Sequence, residues 1–407
     1  MIKYINKIGF FTLIVFFMLV PLHFWTSEKL SYFYKEAFAF VFLILTIPIL
    51  NKKTSYRLGY ELFFLLLFII YLFLCSILFD SRIIYPGDGY LIELSMSQDF
   101  YVIRNALIYI PMLIYIYKRG LVKNEINFLL KTISIFGVIS IAAFLIFFNI
   151  TPDLGSVVKL FALGGDFLQY NSFVPYLTFP FASSVYLAFS QSKNKTKLFF
   201  SIIAFLIFSY IVISTSRQSI IFCGIVIFTF IVSDKKIFKS FLKVIIPIVV
   251  LLILILPGYL SNIEISEKLT SKTSSFEGLT SDETGRLEMA TDGLYRLSFI
   301  EIFSGAGVSS VVNSGPHNDF VRWTQRLGIF GALLCFLPFL ISFIGSFKLM
   351  KKTLSHYHTF VFLIIFYTIY ISFFGYPRED AYQAPFVWLG LSLWLIINNH
   401  SVKAKGK

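Results

Sequence analysis

The sequence predicts an all-α, polytopic integral membrane protein of about twelve spanning helices, with one large outer loop between the ninth and tenth spans. Three observations carry this. The chain of 407 residues is 57% hydrophobic and only 14% charged, with a mean hydropathy of +0.79, where a soluble domain carries about 25% charged residues. Apolar runs near the length of a bilayer crossing, about 20 residues, recur along the chain. The lysines fall in alternate intervals between those runs, as the cytoplasmic loops of a membrane protein require.

The runs lie at about 8–25, 35–50, 58–79, 101–117, 128–149, 171–189, 198–213, 218–232 and 242–260, then at about 327–347, 359–375 and 384–398. The chain thus divides into spans one to nine (1–260), a large polar loop (261–326), and spans ten to twelve with a tail (327–407). The first run follows Lys3 and Lys7 as in a signal peptide. Leu22-His23-Phe24-Trp25 offers no small-residue cleavage site, so it reads as an uncleaved span. Cys75, Cys223 and Cys335 each sit inside an apolar run without CxxC spacing, which points away from a disulfide framework or thiolate metal site. No internal repeat is evident, and Pro86-Gly87-Asp88-Gly89 in the segment 80–100 is a turn-forming stretch.

With the amino terminus inside, every inside segment is basic: Lys3 and Lys7; Lys52, Lys53 and Arg57; Lys118, Arg119 and Lys123; Lys193, Lys195 and Lys197; Lys235, Lys236, Lys239 and Lys243; Lys348, Lys351 and Lys352; Lys403, Lys405 and Lys407. Of the 22 acidic residues only Glu61, Glu125 and Asp234 share that side. A wrong span count would break the alternation at some loop, and none breaks. Both termini are therefore expected in the cytoplasm. The net charge of +13 follows from this placement and not from a basic face, so nucleic acid is not an expected partner.

Arginine is distributed in the opposite way to lysine. Only Arg57 and Arg119 lie inside, whereas Arg82, Arg104, Arg217, Arg286, Arg296, Arg322, Arg326 and Arg378 lie outside. The guanidinium fork grips phosphates in bidentate fashion, so a phosphate-bearing substrate explains the bias; pairing with outer carboxylates is the alternative. Arg217 stands in Ser214-Thr215-Ser216-Arg217-Gln218-Ser219, a polar interruption with almost no loop to hold it in water. An arginine at membrane depth costs about 2.5–3.5 kcal/mol and is a functional candidate by default, with snorkelling as the bland reading. His317, in Gly315-Pro316-His317-Asn318-Asp319, is the outer histidine best placed to act as general base; a structural hydrogen bond is its alternative. The loop carboxylates Asp282, Glu283, Glu288, Asp292, Glu301 and Asp319 lack metal-site spacing, so no metal and no other cofactor is expected. Residues 286–303 alternate charged and apolar positions at helical spacing and predict a surface helix.

Two blocks resemble a known family, the O-antigen polymerases (Wzy) and O-antigen ligases (WaaL). One is Ser214-Thr215-Ser216-Arg217 ahead of a span. The other runs Thr284-Gly285-Arg286, Gly305-Ala306-Gly307, His317-Asn318 and Gly328-Ile329-Phe330-Gly331. The resemblance implies a bacterial inner-membrane enzyme whose large loop and active face are periplasmic or extracellular. It would transfer a glycan from undecaprenyl pyrophosphate to an acceptor sugar hydroxyl without metal or nucleotide sugar, inverting the anomeric centre. Arg217 and Arg286 would hold the pyrophosphate and His317 would orient or deprotonate the acceptor. Arg322, Asp319 and Asn318 beside the histidine, and Arg104 and Arg378 elsewhere, are weaker substrate-binding candidates. A chain-length regulator and a flippase of the same pathway are implied as partners, along with the lipid bilayer.

Of the two activities the polymerase is favoured, in which the acceptor is another lipid-linked repeat; a ligase would transfer to lipid A core. A lipid-linked oligosaccharide transporter is the rival of another class. It would need ionisable groups along an alternating-access path, and beyond Lys131 and Glu61 the inner halves of the spans hold few.

Overall fold

Where no water reaches the backbone, an apolar segment satisfies its own hydrogen bonds only as a helix, and the apolar runs fold accordingly. In a computed structural model the described residues are 2–21, 28–50, 59–84, 91–93, 96–148, 159–161, 167–213, 216–233, 294, 297–312, 318–373 and 383–405. The first three runs form α1 (Ile2–Leu19), α2 (Glu28–Leu50) and α3 (Tyr60–Leu78). The fourth forms α4 (Met96–Leu107) and α5 (Ile110–Arg119), separated only by a turn at 108–109 and together long and apolar enough for the one span expected; Pro111 at the start of α5 favours a fresh helix start there. Next come α6 (Lys123–Phe148), α7 (Tyr170–Ser190), α8 (Asn194–Ile213) and α9 (Arg217–Ser233). The ninth run, 242–260, lies outside the described residues. Then follow α10 (Phe299–Ser304), α11 (Asp319–Thr353), α12 (His356–Ser372) and α13 (Ala384–Lys405).

Helix α11 begins at Asp319, ahead of the expected boundary near 327. The reason is local: Asn318 caps it by accepting from the amides of Phe320 and Val321, and Asp319 places a carboxylate in the first turn. The surface helix predicted over 286–303 is described only as α10, six residues closed by a Ser298/Glu301 capping box; residues 286–293, 295 and 296 lie outside the described set. Besides the helices there are strands of two or three residues: β1 (Arg82–Ile84) pairs antiparallel with β2 (Leu91–Glu93) and parallel with β5 (Val311–Val312), and β3 (Lys159–Phe161) pairs with β4 (Phe167–Gln169). The first sheet matters because β5 ends five residues before His317 in the sequence.

Six helical stretches among the described residues are long and apolar enough to cross a bilayer: Tyr60–Leu78, Met96–Arg119, Lys123–Ala143, Phe173–Ser190, Asn194–Val212 and Asp319–Thr353. Shorter apolar helices at Tyr4–Leu19, Gln218–Ser233, His356–Ser372 and Ala384–Asn399 accompany them. Helix α7 is the central one, 83% buried across its apolar window and packed on α6, α8, α9 and α12, whereas α3 and α8 are only 28% buried. The outward faces of those two helices show Phe63, Leu66, Ile70, Phe73, Phe199 and Phe205. A broad exposed apolar face of this kind suits solvation by lipid tails, and the helices together fit a membrane-embedded protein.

Contacts sort the helix ends into two sets. At one end Arg119 of α5 meets Asn6 of α1 and Glu125 of α6, Tyr186 of α7 meets Asn127 of α6, and Phe189 of α7 meets His356 of α12. Ser233 of α9 meets Thr359 of α12 there, and Glu61 of α3 accepts from Trp394 and Asn398 of α13. These are the ends beside the lysine-rich segments Lys118–Lys123, Lys193–Lys197 and Lys348–Lys352. The opposite ends of α7, α9, α12 and α13 gather around Tyr367, Tyr370 and Gln383, and Phe320 of α11 packs on Phe373 just beyond.

Candidate functional site

The glycines of the resemblance are explained by backbone geometry. Gly305 has φ +87 and ψ 164, and Gly328, inside α11, has φ +65 and ψ −178. That region of backbone space is essentially open only to glycine. The break at Gly328 lets the Gly305-Ala306-Gly307 turn dock against the helix. The amides of Ala306 and Gly307 donate to the carbonyls of Gln325 and Arg326 at 2.9 and 3.2 Å. Contact is so close that a Cβ on Gly328 would lie 2.0 Å from the Phe303 carbonyl oxygen, and one on Gly305 would lie 2.2 Å from that of Arg326. A Cβ on Gly331, one turn further on, would meet Leu327 and Tyr71 of α3. So Gly305-Ala306-Gly307 and Gly328-Ile329-Phe330-Gly331, far apart as motifs, form one interlocked turn and kink.

The other side of this turn is held by Asp99, in the first turn of α4. Its Oδ1 accepts from the Ser81 hydroxyl at 2.6 Å, the Ser309 amide at 3.1 Å and the Ser309 hydroxyl, while the Ser309 amide also donates to Ser81 Oγ at 3.0 Å. Asp99, Ser81 and Ser309 are all buried. A carboxylate withdrawn from water is stabilised by such charge-assisted bonds. From this anchor the chain enters β5 and, five residues after Val312, reaches His317. Sequence reasoning missed Asp99, which reads simply as one of many outer carboxylates; its place at the head of an apolar helix was the available signal.

Ahead of the Gly328 kink, α11 buries a run of polar groups. Asp319 is fully buried, Arg326 is 2% exposed and Gln325 1% exposed, with Arg322 half-buried. Trp323 packs edge-on against Phe68 of α3, and the Arg326 guanidinium lies 5.5 Å from the Trp323 ring. The side-chain amide of Gln325 has no hydrogen-bond partner among the described residues. Such a concentration of buried polarity is unusual on an otherwise apolar helix. Arg326 reads in the sequence only as one of the outer arginines and Gln325 carries no signal, because their burial follows from an early helix start that hydropathy does not report.

Of the predicted site residues, Asn318 spends its carboxamide oxygen on the helix cap, which leaves its NH2 for another partner. Asp319 and Arg322 follow it on α11. Arg104, on α4, donates to Glu36 of α2 at 2.9 Å and lies over the Tyr101 ring, 4.7 Å from its centroid. Arg286, His317 and Arg378 lie outside the described residues. Arg217 begins α9, and its side chain too lies outside the described set. The helix starts carrying the two blocks nonetheless share a neighbour. Tyr370 of α12 donates to the Gln218 carbonyl at 3.1 Å, and one turn later Phe373 packs on Phe320 of α11 with ring centroids 4.9 Å apart. The amino ends of α9 and α11 therefore both rest on the carboxyl end of α12. Among the described residues no cluster of His, Cys, Asp and Glu could hold a metal ion, and Cys75, Cys223 and Cys335 are buried free thiols.

Comparison with protein-family models gives no match, nor does comparison with curated proteins.

Proposed function

We propose that the chain is a metal-independent polysaccharide polymerase of the bacterial inner membrane, with twelve spans, cytoplasmic termini and a large outer loop. It elongates a lipid-linked glycan by transfer from undecaprenyl pyrophosphate, as the resemblance to the O-antigen polymerases implies. One observation carries the reading furthest: the start of α9, with Arg217, and the start of α11, one residue after His317-Asn318, pack on the same end of α12. Two weak motifs that share a neighbour are stronger than two separate ones, since catalytic groups must lie near hydrogen-bonding reach of a common substrate.

In this reading the acceptor hydroxyl oxygen attacks the anomeric carbon from the face opposite the pyrophosphate. The C–O bond to the pyrophosphate breaks with its electron pair, the new glycosidic bond forms, and the hydroxyl proton passes to His317. Arg217 and Arg286 stabilise the charge gathering on the leaving pyrophosphate, the task of preorganised cations. The interlocked turn and the Asp99 anchor fix β5, from which the chain continues to the histidine segment, and misplacement of a catalytic group by about 1 Å costs about 100-fold in rate. Replacing Arg217, Arg286 and His317 singly in cells and following chain length tests this. Each variant is expected to accumulate at normal level and leave single repeats in place of long chains; near-normal chain length from Arg217→Ala or His317→Ala would remove these roles.

A further inference from the structure

At the lysine-bearing end of the bundle, α1 and α6 line an open groove of about 430 Å³ formed by Lys7, Phe10, Phe11, Ile14, Glu125 and Phe128. Lys7, Phe10, Phe11 and Ile14 are spaced i, i+3, i+4 and i+7, so they form one stripe along α1, about 10 Å from the lysine to the isoleucine at 1.5 Å per residue. Phe11 and Phe128 are 66% and 53% exposed. Such a wall favours an acyl chain over water.

The charges at the mouth decide what kind of headgroup fits. Glu125 is already saturated: its Oε2 accepts from Arg119 Nη1 at 3.0 Å and from the Val122 amide at 3.1 Å, and its Oε1 accepts from Arg119 Nη2. Arg119 is in turn held by the carbonyls of Asn6 and Gly120 and lies over the Phe10 ring. That pair is neutral and closed. Lys7 is exposed, and among the described residues it has no ion-pair partner. Lys118 and Lys123 stand within two residues of Arg119 and Glu125 in the sequence. An ammonium therefore stands at one end of an apolar groove, with no open carboxylate among the described lining residues to receive a lipid's own cation.

We propose that this groove binds one anionic phospholipid, its phosphate on Lys7 and an acyl chain along Phe10, Phe11, Ile14 and Phe128. A zwitterionic lipid carries the same phosphate, but its cation finds no open carboxylate in the described lining, where Glu125 is already bonded to Arg119 and the Val122 amide. The proposal is independent of the glycan chemistry, so the two stand or fall separately.

A tryptophan reporter tests it. The full-length Phe11→Trp protein is reconstituted in vesicles of mixed phosphatidylcholine and phosphatidylglycerol, one or the other brominated, and quenching is taken relative to the parent protein. Brominated phosphatidylglycerol is expected to quench the reporter with about five-fold preference over brominated phosphatidylcholine, the contribution of about one lysine near an anionic headgroup. Lys7→Gln should bring that ratio close to one and Lys7→Arg should keep it. Equal quenching by the two lipids, or a preference untouched by Lys7→Gln, overturns the proposal. If Phe11→Trp does not reconstitute, Phe128→Trp reports on the same groove from α6.

Discussion

Gly328→Ala tests the interlocked turn, and its cost can be worked from the geometry. The residue sits at φ +65 and ψ −178, where a side chain costs about 1–3 kcal/mol. The new Cβ would also stand 2.0 Å from the Phe303 carbonyl oxygen, a backbone atom that cannot rotate aside. Relief requires the Gly305 turn to lift off α11, and with it go the bonds from Ala306 to Gln325 and from Gly307 to Arg326, at about 0.5–1.5 kcal/mol each. The total is about 2–6 kcal/mol. Two other glycines separate its parts. Gly120 has φ +71 with nothing within 4 Å of an added Cβ, so Gly120→Ala carries the conformational cost alone, about 1–3 kcal/mol. Gly224 lies inside α9 with open space and no positive φ, so Gly224→Ala should be neutral or stabilising by up to about 1 kcal/mol. Thermal unfolding of the three purified proteins in one detergent should rank them Gly328, Gly120, Gly224 from most to least destabilised, with Gly328→Ala lowered by about 2–7 °C. A Gly328→Ala protein no less stable than Gly120→Ala would refute the close docking of turn on helix.

Other substitutions have separable outcomes. Asp99→Ala removes the acceptor of three buried donors and should cost about 2–5 kcal/mol and shorten chains, whereas Asp99→Asn keeps an Oδ1 acceptor and should restore much of both; equal loss in the two variants would show that charge and not hydrogen bonding holds the turn. Glu61→Leu leaves the Trp394 indole N–H buried and unpaired, about 1–3 kcal/mol by thermal unfolding, and Glu61→Gln should lose clearly less. Arg104→Ala breaks a pair whose side chains are 35% and 46% exposed, so stability should change by no more than about 1 kcal/mol and chain length should stay near normal. Short chains from a well-expressed Arg104→Ala protein would instead place that guanidinium on substrate.

The helices were legible because hydropathy reads the physical demand that makes them: every apolar run except 242–260 coincides with a described helix or helix pair. Hydropathy does not report continuity, so the break between α4 and α5 escaped it, although Pro111 marked the place. It also discards polar residues, and for that reason the head of α11 was read as loop. Asn318 and Asp319 carried the opposite signal, that of a helix cap, and the capping chemistry prevailed. The glycines were visible as a pattern, but their need for positive φ comes from a contact between Phe303 and Gly328. The Asp99 anchor joins residues 210 positions apart, a pairing to which no local spacing points.

The central claim is glycan transfer with release of the lipid pyrophosphate, and one assay reads it directly. Purified protein is given lipid-linked repeat extracted from its own host, and both the glycan ladder and the undecaprenyl pyrophosphate are followed. The account predicts one pyrophosphate released for each bond formed, a ladder made without added metal, and neither product from His317→Ala protein of normal stability. A full ladder from the His317→Ala protein, or lipid-linked repeat moved between leaflets with no new bond formed, would contradict it.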